Sequence, residues 1–117
     1  MNSENHKYHH GNLRDEILRA AYNFVLENGY STMSLRGIAE QCNVSATAIY
    51  RHYKTKEHLL ADVVAKGFVE FNISVEGKEE DDIFQRSENY LAFAFDNYNI
   101  YDLLFSQSVV EFLKFPQ

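Results

Sequence analysis

What this sequence lacks constrains it most: in 117 residues there is one proline, Pro116, and only five glycines, none of them clustered. Proline removes a backbone donor and clashes inside a helix, and glycine costs about 1 kcal/mol there relative to alanine. A chain almost free of both has few places where a helix must stop. With 45% apolar residues and no low-complexity tract, the expectation is a globular all-α protein. By length it forms one ordinary domain or two small ones sharing a core.

Apolar spacing then places the helices. Over 13–28, Ile17, Ala20, Ala21 and Phe24 fall on one face, with Asp15 and Glu16 in the first turn, where the helix dipole favours carboxylates. Asn12 is the expected N-cap, and Gly29 can take the left-handed position that ends the helix. A short second helix over 34–41 turns Leu35, Ile38 and Ala39 inward. Cys42, Asn43 and Val44 form the turn, and Asn43 belongs to the few residue types that tolerate positive φ. The third helix follows Ser45 as N-cap and is expected to reach Tyr53. The fourth starts near Lys56, capped by Thr55, with Leu60, Val63, Val64, Gly67, Phe68 and Phe71 on one stripe. A charged connection over 77–82 precedes two further helices, expected over 83–97 and 101–114. Eleven of the seventeen aromatics lie beyond Gly67, which fits either a small core of bulky side chains or a cavity or interface for more helices.

Residues 34–53 carry the strongest local signal. Two short helices join through three or four residues, and Ile38, Ala39, Val44 and Ile49 are spaced to pack between them. Ala39 suits a close crossing. Such a pair cannot bury its own apolar face, so the first and fourth helices must cover it. The pattern is that of a helix-turn-helix, although generic helical hairpins share the spacing.

The runs Ile17-Leu18-Arg19-Ala20-Ala21, Gly29-Tyr30, Ser34-Leu35-Arg36-Gly37-Ile38-Ala39 and Val44-Ser45, with Phe24 and the stretch from Ile49 through Leu60, closely resemble the N-terminal signature of the TetR/AcrR family of bacterial transcriptional regulators. The resemblance covers about residues 12–66. It implies a three-helix DNA-binding domain with a helix-turn-helix, then a long connecting helix and an incomplete helical regulatory domain. The corresponding division is a flexible arm over 1–11, the DNA-binding domain over 12–66, and a partial ligand-binding and dimerisation domain over 67–117. The chain departs from the family at Cys42 and Asn43, where alanine and glycine are common, and at Thr47 and Ala48, where glycine and threonine are common. The stretch from Tyr90 to Phe105 is similar to the start of the regulatory domain in one group of these regulators, with Tyr98 where proline is usual. Family members are far longer, so the expectation is a truncated regulator or a shortened relative, poorly able to dimerise alone.

The resemblance implies a sequence-specific, ligand-responsive repressor, with operator DNA, a small-molecule inducer and a second copy of the full-length chain as partners and no cofactor. The alternative is a truncated structural or interaction module that binds DNA weakly and modulates a full-length regulator. By analogy with helix-turn-helix docking, the third helix enters the major groove. Ser45, Ala46, Thr47, Tyr50 and Arg51 lie at its start or on its outer side. Thr47 can donate or accept at a base edge, and an alanine methyl can meet thymine. Arg51 has three destinations open: guanine, phosphate or solvent. Tyr50, His52, Thr55 and Lys56 resemble the family's phosphate clamp, with His52 alternatively a packing residue, and Arg36 is a further base or phosphate candidate. Tyr53 reads as core.

The net charge of −6 fits this reading only when divided by position. Residues 1–66 hold eight basic and seven acidic residues; residues 67–117 hold three and ten. The acidity belongs to the second part, leaving basic residues of the first free to meet phosphate. Unspecific, purely electrostatic DNA binding is disfavoured. No apolar run is long enough for a membrane span, and the polar start of the chain is not a secretory signal. One cysteine, Cys42, excludes an internal disulfide and fits a cytoplasmic setting. His6, His9 and His10 make a poor metal site, the acidic run over 79–82 reads as a solvated connection, and no phosphate-binding glycine loop supports an enzyme.

Overall fold

The structure is a computed structural model that describes residues 12–78, 80 and 82–106. Six helices account for it: α1 Leu13–Asn28, α2 Leu35–Gln41, α3 Ala46–Tyr50, α4 Lys56–Glu76, α5 Ile83–Asp96 and α6 Tyr98–Phe105. No strand occurs among the described residues. The all-α expectation holds there, including α1 from end to end.

Side-chain caps start four of the six helices. The hydroxyls of Ser34, Ser45 and Thr55 accept from the backbone N–H of Gly37, Ala48 and His58 at 3.0, 3.1 and 3.1 Å. The Asp82 carboxylate accepts from Gln85 N–H at 3.0 Å at the head of α5. Each satisfies an amide that the helix leaves without a partner, a contribution of about 1 kcal/mol. Asn12, by contrast, stands at the head of α1 without a side-chain cap bond. Gly29 closes α1 with φ 83° and ψ 173°, positive as expected but extended in ψ rather than left-handed helical.

The start of α2 and the end of α5 each differ from the sequence reading by one residue, and two other boundaries differ by three. Helix α3 stops at Tyr50, three residues earlier than expected. Ile49 and Tyr53 are both buried, and their four-residue spacing imitates a continuing helix. In fact the Ile49 carbonyl accepts from both His52 and Tyr53 N–H, at 3.0 and 2.9 Å, and the chain leaves the helix there. Helix α6 starts at Tyr98 rather than Tyr101, because Tyr101 N–H already reaches the Asn97 carbonyl at 2.9 Å. The polar Asn97 to Asn99 stretch looks like a loop, yet only Asn97 breaks the helix. The part of the expected last helix beyond Ser106 lies outside the described residues.

One apolar cluster joins all six helices. Ile17 and Val25 of α1, Ile38 of α2, Ile49 of α3, Leu60 and Val63 of α4, Phe93 of α5 and Ile100 and Leu103 of α6 are all buried in it. Each such aliphatic side chain contributes about 1.5–3 kcal/mol by leaving water. Helix α4 runs unbroken across residue 66, so buried side chains continue through the boundary drawn there from the sequence. Ala20 and Phe24 pack at the edge of the core rather than inside it, while Tyr22 and Val25 take the inner places.

The crossing of α6 over α4 depends on Gly67. A Cβ there would lie 2.9 Å from Leu104 Cδ2 and 3.3 Å from Ile100 Cγ2. Around this crossing the aromatics meet edge to face: Phe71 has Tyr90, Phe93 and Phe105 at centroid distances of 5.5, 5.3 and 5.4 Å. Other large apolar side chains face outward, including Ile73, Phe84, Leu91 and Phe95, the last 87% exposed. The aromatics therefore divide between a core and an uncovered apolar surface.

Candidate nucleic-acid interface

Helices α2 and α3 meet across a tight turn whose backbone is fully accounted for. The amides of Cys42, Asn43 and Val44 donate to the carbonyls of Ile38, Glu40 and Ala39, each at 3.0 Å. Asn43 adopts φ 63°, as its residue type allows, and is the one non-glycine with positive φ among the described residues. Ala39 is buried at the crossing. Leu35, Ile38 and Ile49 are pulled inward together, which fixes the rotation of α3 about its axis and decides which side chains face out.

Those facing out are the ones singled out from the sequence. Ser45, Thr47, Tyr50 and Arg51 are exposed, with Ala46 half-buried beside them. Tyr50 keeps 42% of its surface in solvent. Arg36 is exposed near the start of α2; His52 and Lys56 are half-buried and Thr55 is exposed. Ser45 and Thr55 also serve as caps, which gives both hydroxyls a structural duty. From residue 34 to 56 there are four basic side chains, Arg36, Arg51, Lys54 and Lys56, against one acid, Glu40, in a protein of net charge −6.

Lys56 is already tethered. Its ammonium donates to the Ser31 carbonyl at 3.0 Å, joining the head of α4 to the loop after α1. An ammonium has three donors, so this tether leaves others for a phosphate. The free amides at the start of a 21-residue helix stand next to it.

Behind α3 lies a cluster that the sequence reading missed. Arg14 of α1 donates through Nη2 to Asp62 Oδ2 of α4 at 3.1 Å and through Nη1 to the His52 carbonyl at 3.3 Å. Its guanidinium lies 4.6 Å above the Tyr53 ring, and the Tyr53 hydroxyl donates to the same Asp62 oxygen at 2.6 Å. Tyr53 is core, as expected. Burial, with the bond to Asp62, pushes its phenol well above its ordinary range and keeps it a donor. Nothing in local spacing links residues 14, 53 and 62; only the folded arrangement of α1 and α4 does.

Residues 17–63 match the family described as bacterial regulatory proteins, tetR family. Over these residues the chain is similar to a TetR-family N-terminal domain. Over 55 residues it is 33% identical to the HTH-type transcriptional repressor KstR of Rhodococcus jostii, an alignment covering 47% of this chain and 26% of that protein. Over 51 residues it is 33% identical to the HTH-type transcriptional regulator UidR of Escherichia coli K12, covering 44% and 26%. The match thus spans about a quarter of the length of these curated relatives, which are named as transcription regulators. A solved TetR-family transcriptional regulator from Haemophilus influenzae shares the fold, with a TM-score of 0.60 and 22% identity over 91% of this chain and 64% of that one.

No group of three or more metal-ligating side chains occurs among the described residues. The three histidines of the N-terminal arm lie outside them, as do two of the four acids over 79–82. Cys42 is buried with its thiol 3.8 Å from the Glu16 carbonyl, and burial, aided by Glu16, raises its pKa. A thiol held protonated and out of solvent is unreactive. No helix among the described residues is long and apolar enough to cross a membrane.

Proposed function

We propose that this chain reads DNA sequence as part of a ligand-responsive transcriptional repressor. The observation that carries the proposal is α3 itself: Ile49 anchors its inner side while Thr47, Tyr50 and Arg51 stand outward, in a basic stretch of an acidic protein. In this reading Ala46 and Thr47 meet base edges, Arg51 meets guanine or phosphate, and Arg36 assists from α2. Ser45, Tyr50, His52, Thr55 and Lys56 hold the phosphate backbone. Residues 12–66 form the DNA-reading domain, the arm over 1–11 accompanies it, and residues 67–117 begin the ligand-binding and dimerisation part.

A palindromic operator read by a homodimer requires two α3 helices about 34–36 Å apart, or a multiple of that. In this reading a small-molecule inducer binds beyond α4, and an open cleft of about 400 Å³ lined by Val75, Arg86, Ser87, Tyr90 and Leu91 supports it. The name of the KstR relative supports repression, and a cytoplasmic setting follows from the proposed operator DNA.

Selection from a random-sequence duplex library tests the proposal. The 117-residue chain should enrich a half-site motif of a few base pairs. Recovery of unenriched sequence, with binding that depends on salt alone, would contradict it.

A further inference from the structure

Helix α3 has five residues, little more than one turn, and a helix so short has no stability of its own. Buried Ile49 sets its rotation, and its two ends must hold it in place against the neighbouring helices. Ser45 Oγ secures the first by accepting from Ala48 N–H at 3.1 Å. At the second end the Ile49 carbonyl accepts from His52 and Tyr53 N–H, backbone bonds that close the turn without tying it to another helix. The His52 carbonyl, just past the last turn, accepts from Arg14 Nη1 at 3.3 Å, 38 residues away in sequence.

We propose that Arg14 is the positioning residue of the recognition helix, holding the exit of α3 against α4. This rests on the DNA-reading role proposed above. Its guanidinium makes three engagements at once: the His52 carbonyl, the Asp62 carboxylate at 3.1 Å, and the face of the Tyr53 ring at 4.6 Å. Tyr53 in turn donates to Asp62 at 2.6 Å, so the four groups close on one another. An isolated surface ion pair contributes little. Here the planar fork gains its effect from geometry, since one rigid group spans α1, the α3–α4 turn and α4. A lysine is a single point charge on a flexible stem and cannot meet all three partners together. Any tilt of α4 relative to α1 displaces Asp62 from Arg14 and with it the support of the His52 carbonyl. The cluster thereby links the orientation of α4 to that of Thr47 and Arg51.

Two measurements on Arg14→Ala and Arg14→Lys test the assignment. In the free chain, amide hydrogen exchange should quicken about tenfold at His52 and Tyr53 in both variants, while core amides of α1 and α4 such as Ile17 and Val63 keep their rates. Uniform acceleration throughout the chain would reduce Arg14 to a general stabiliser and overturn the proposal, as would unchanged exchange at both residues. The second measurement compares binding to the library-selected duplex and to a scrambled duplex across a salt series. Both variants should lose about tenfold in discrimination, and Arg14→Lys should keep the wild-type salt slope. A phosphate-contact role predicts the opposite: equal loss on both duplexes for Arg14→Ala, a slope reduced by about one, and rescue by lysine. If wild-type chain discriminates no duplex, the DNA-reading role fails, and the exchange rates alone still decide whether Arg14 holds α3.

Discussion

Asn99 of α6 donates from Nδ2 to the Leu26 carbonyl in the last turn of α1 at 3.1 Å, across 73 residues of sequence. That carbonyl belongs to the last turn of a helix, where acceptors have no partner within the helix. A side chain from the second half of the protein thus closes its first helix. Asn99→Ala should cost about 1 kcal/mol of unfolding free energy. Asn99→Asp should cost more at pH 7, since it sets a carboxylate against a carbonyl and the negative end of α1. Urea unfolding midpoints decide; equal losses would show that the amide bond contributes nothing directional.

The α4–α6 crossing makes a prediction whose sign reverses with background. Gly67→Ala gains about 1 kcal/mol of helix propensity, but its methyl would sit 2.9 Å from Leu104 Cδ2, a buried side chain. Overpacking of this kind costs about 1–3 kcal/mol, so the variant should be less stable by about 1 kcal/mol net. In a Leu104→Ala background the nearer obstacle is gone, Ile100 Cγ2 at 3.3 Å has only a few tenths of an ångström to give, and the same substitution should stabilise. Thermal unfolding of the four proteins in the cycle measures it. Stabilisation in both backgrounds would mean that α6 yields without cost.

Residues 13–28 illustrate how much of this protein was legible in sequence: helical spacing and Gly29 placed α1 at its observed bounds. The caps Ser45 and Thr55 and the positive φ of Asn43 were equally local and equally readable, whereas Ser34, the first helical residue in the sequence reading, is the cap. The end of α3 was not, because Tyr53 keeps helical register with Ile49 while its backbone has already left the helix. Arg14, Asp62 and Asn99 were invisible for another reason. Apart from Tyr53, nine residues before Asp62, their partners lie 38 to 73 residues away, and local periodicity carries no information about such pairs. The outward residues of α3 were found since one buried position, Ile49, fixes the rest by geometry.

Alkaline titration provides a further test. Tyr53 has its pKa raised above the ordinary 10.0, and Cys42 above 9.0, chiefly by burial. For both groups the folded state holds its proton more tightly than the unfolded chain. Their stabilisation is complete below the unfolded values and is lost as pH rises through about 9 for Cys42 and about 10 for Tyr53 toward the folded values. Tyr53→Phe removes the hydroxyl bond to Asp62 and should cost about 1–2 kcal/mol at pH 7. It should also flatten the fall in unfolding temperature above pH 10. An unchanged slope above pH 10 would place the alkaline sensitivity elsewhere.

Lys56 and Thr47 should separate on DNA. Lys56→Ala should weaken binding to every duplex alike and lower the salt slope by about one, as expected for loss of a phosphate contact. Thr47→Ala should leave the slope in place and change the preference between selected and altered duplexes by about 1 kcal/mol. Parallel titrations at several salt concentrations measure both. Equal losses on all duplexes for Thr47→Ala would move that residue to the backbone.

The central claim, that α3 and the head of α4 form the DNA surface, is tested most directly by amide chemical-shift mapping as a library-selected duplex is added to the labelled chain. The account predicts the largest changes at Ser45, Thr47, Tyr50, Arg51 and Lys56, smaller ones at Arg36, and none along the outer face of α5 at Phe84, Leu91 and Phe95. Changes centred on α5 with α3 unmoved would contradict it.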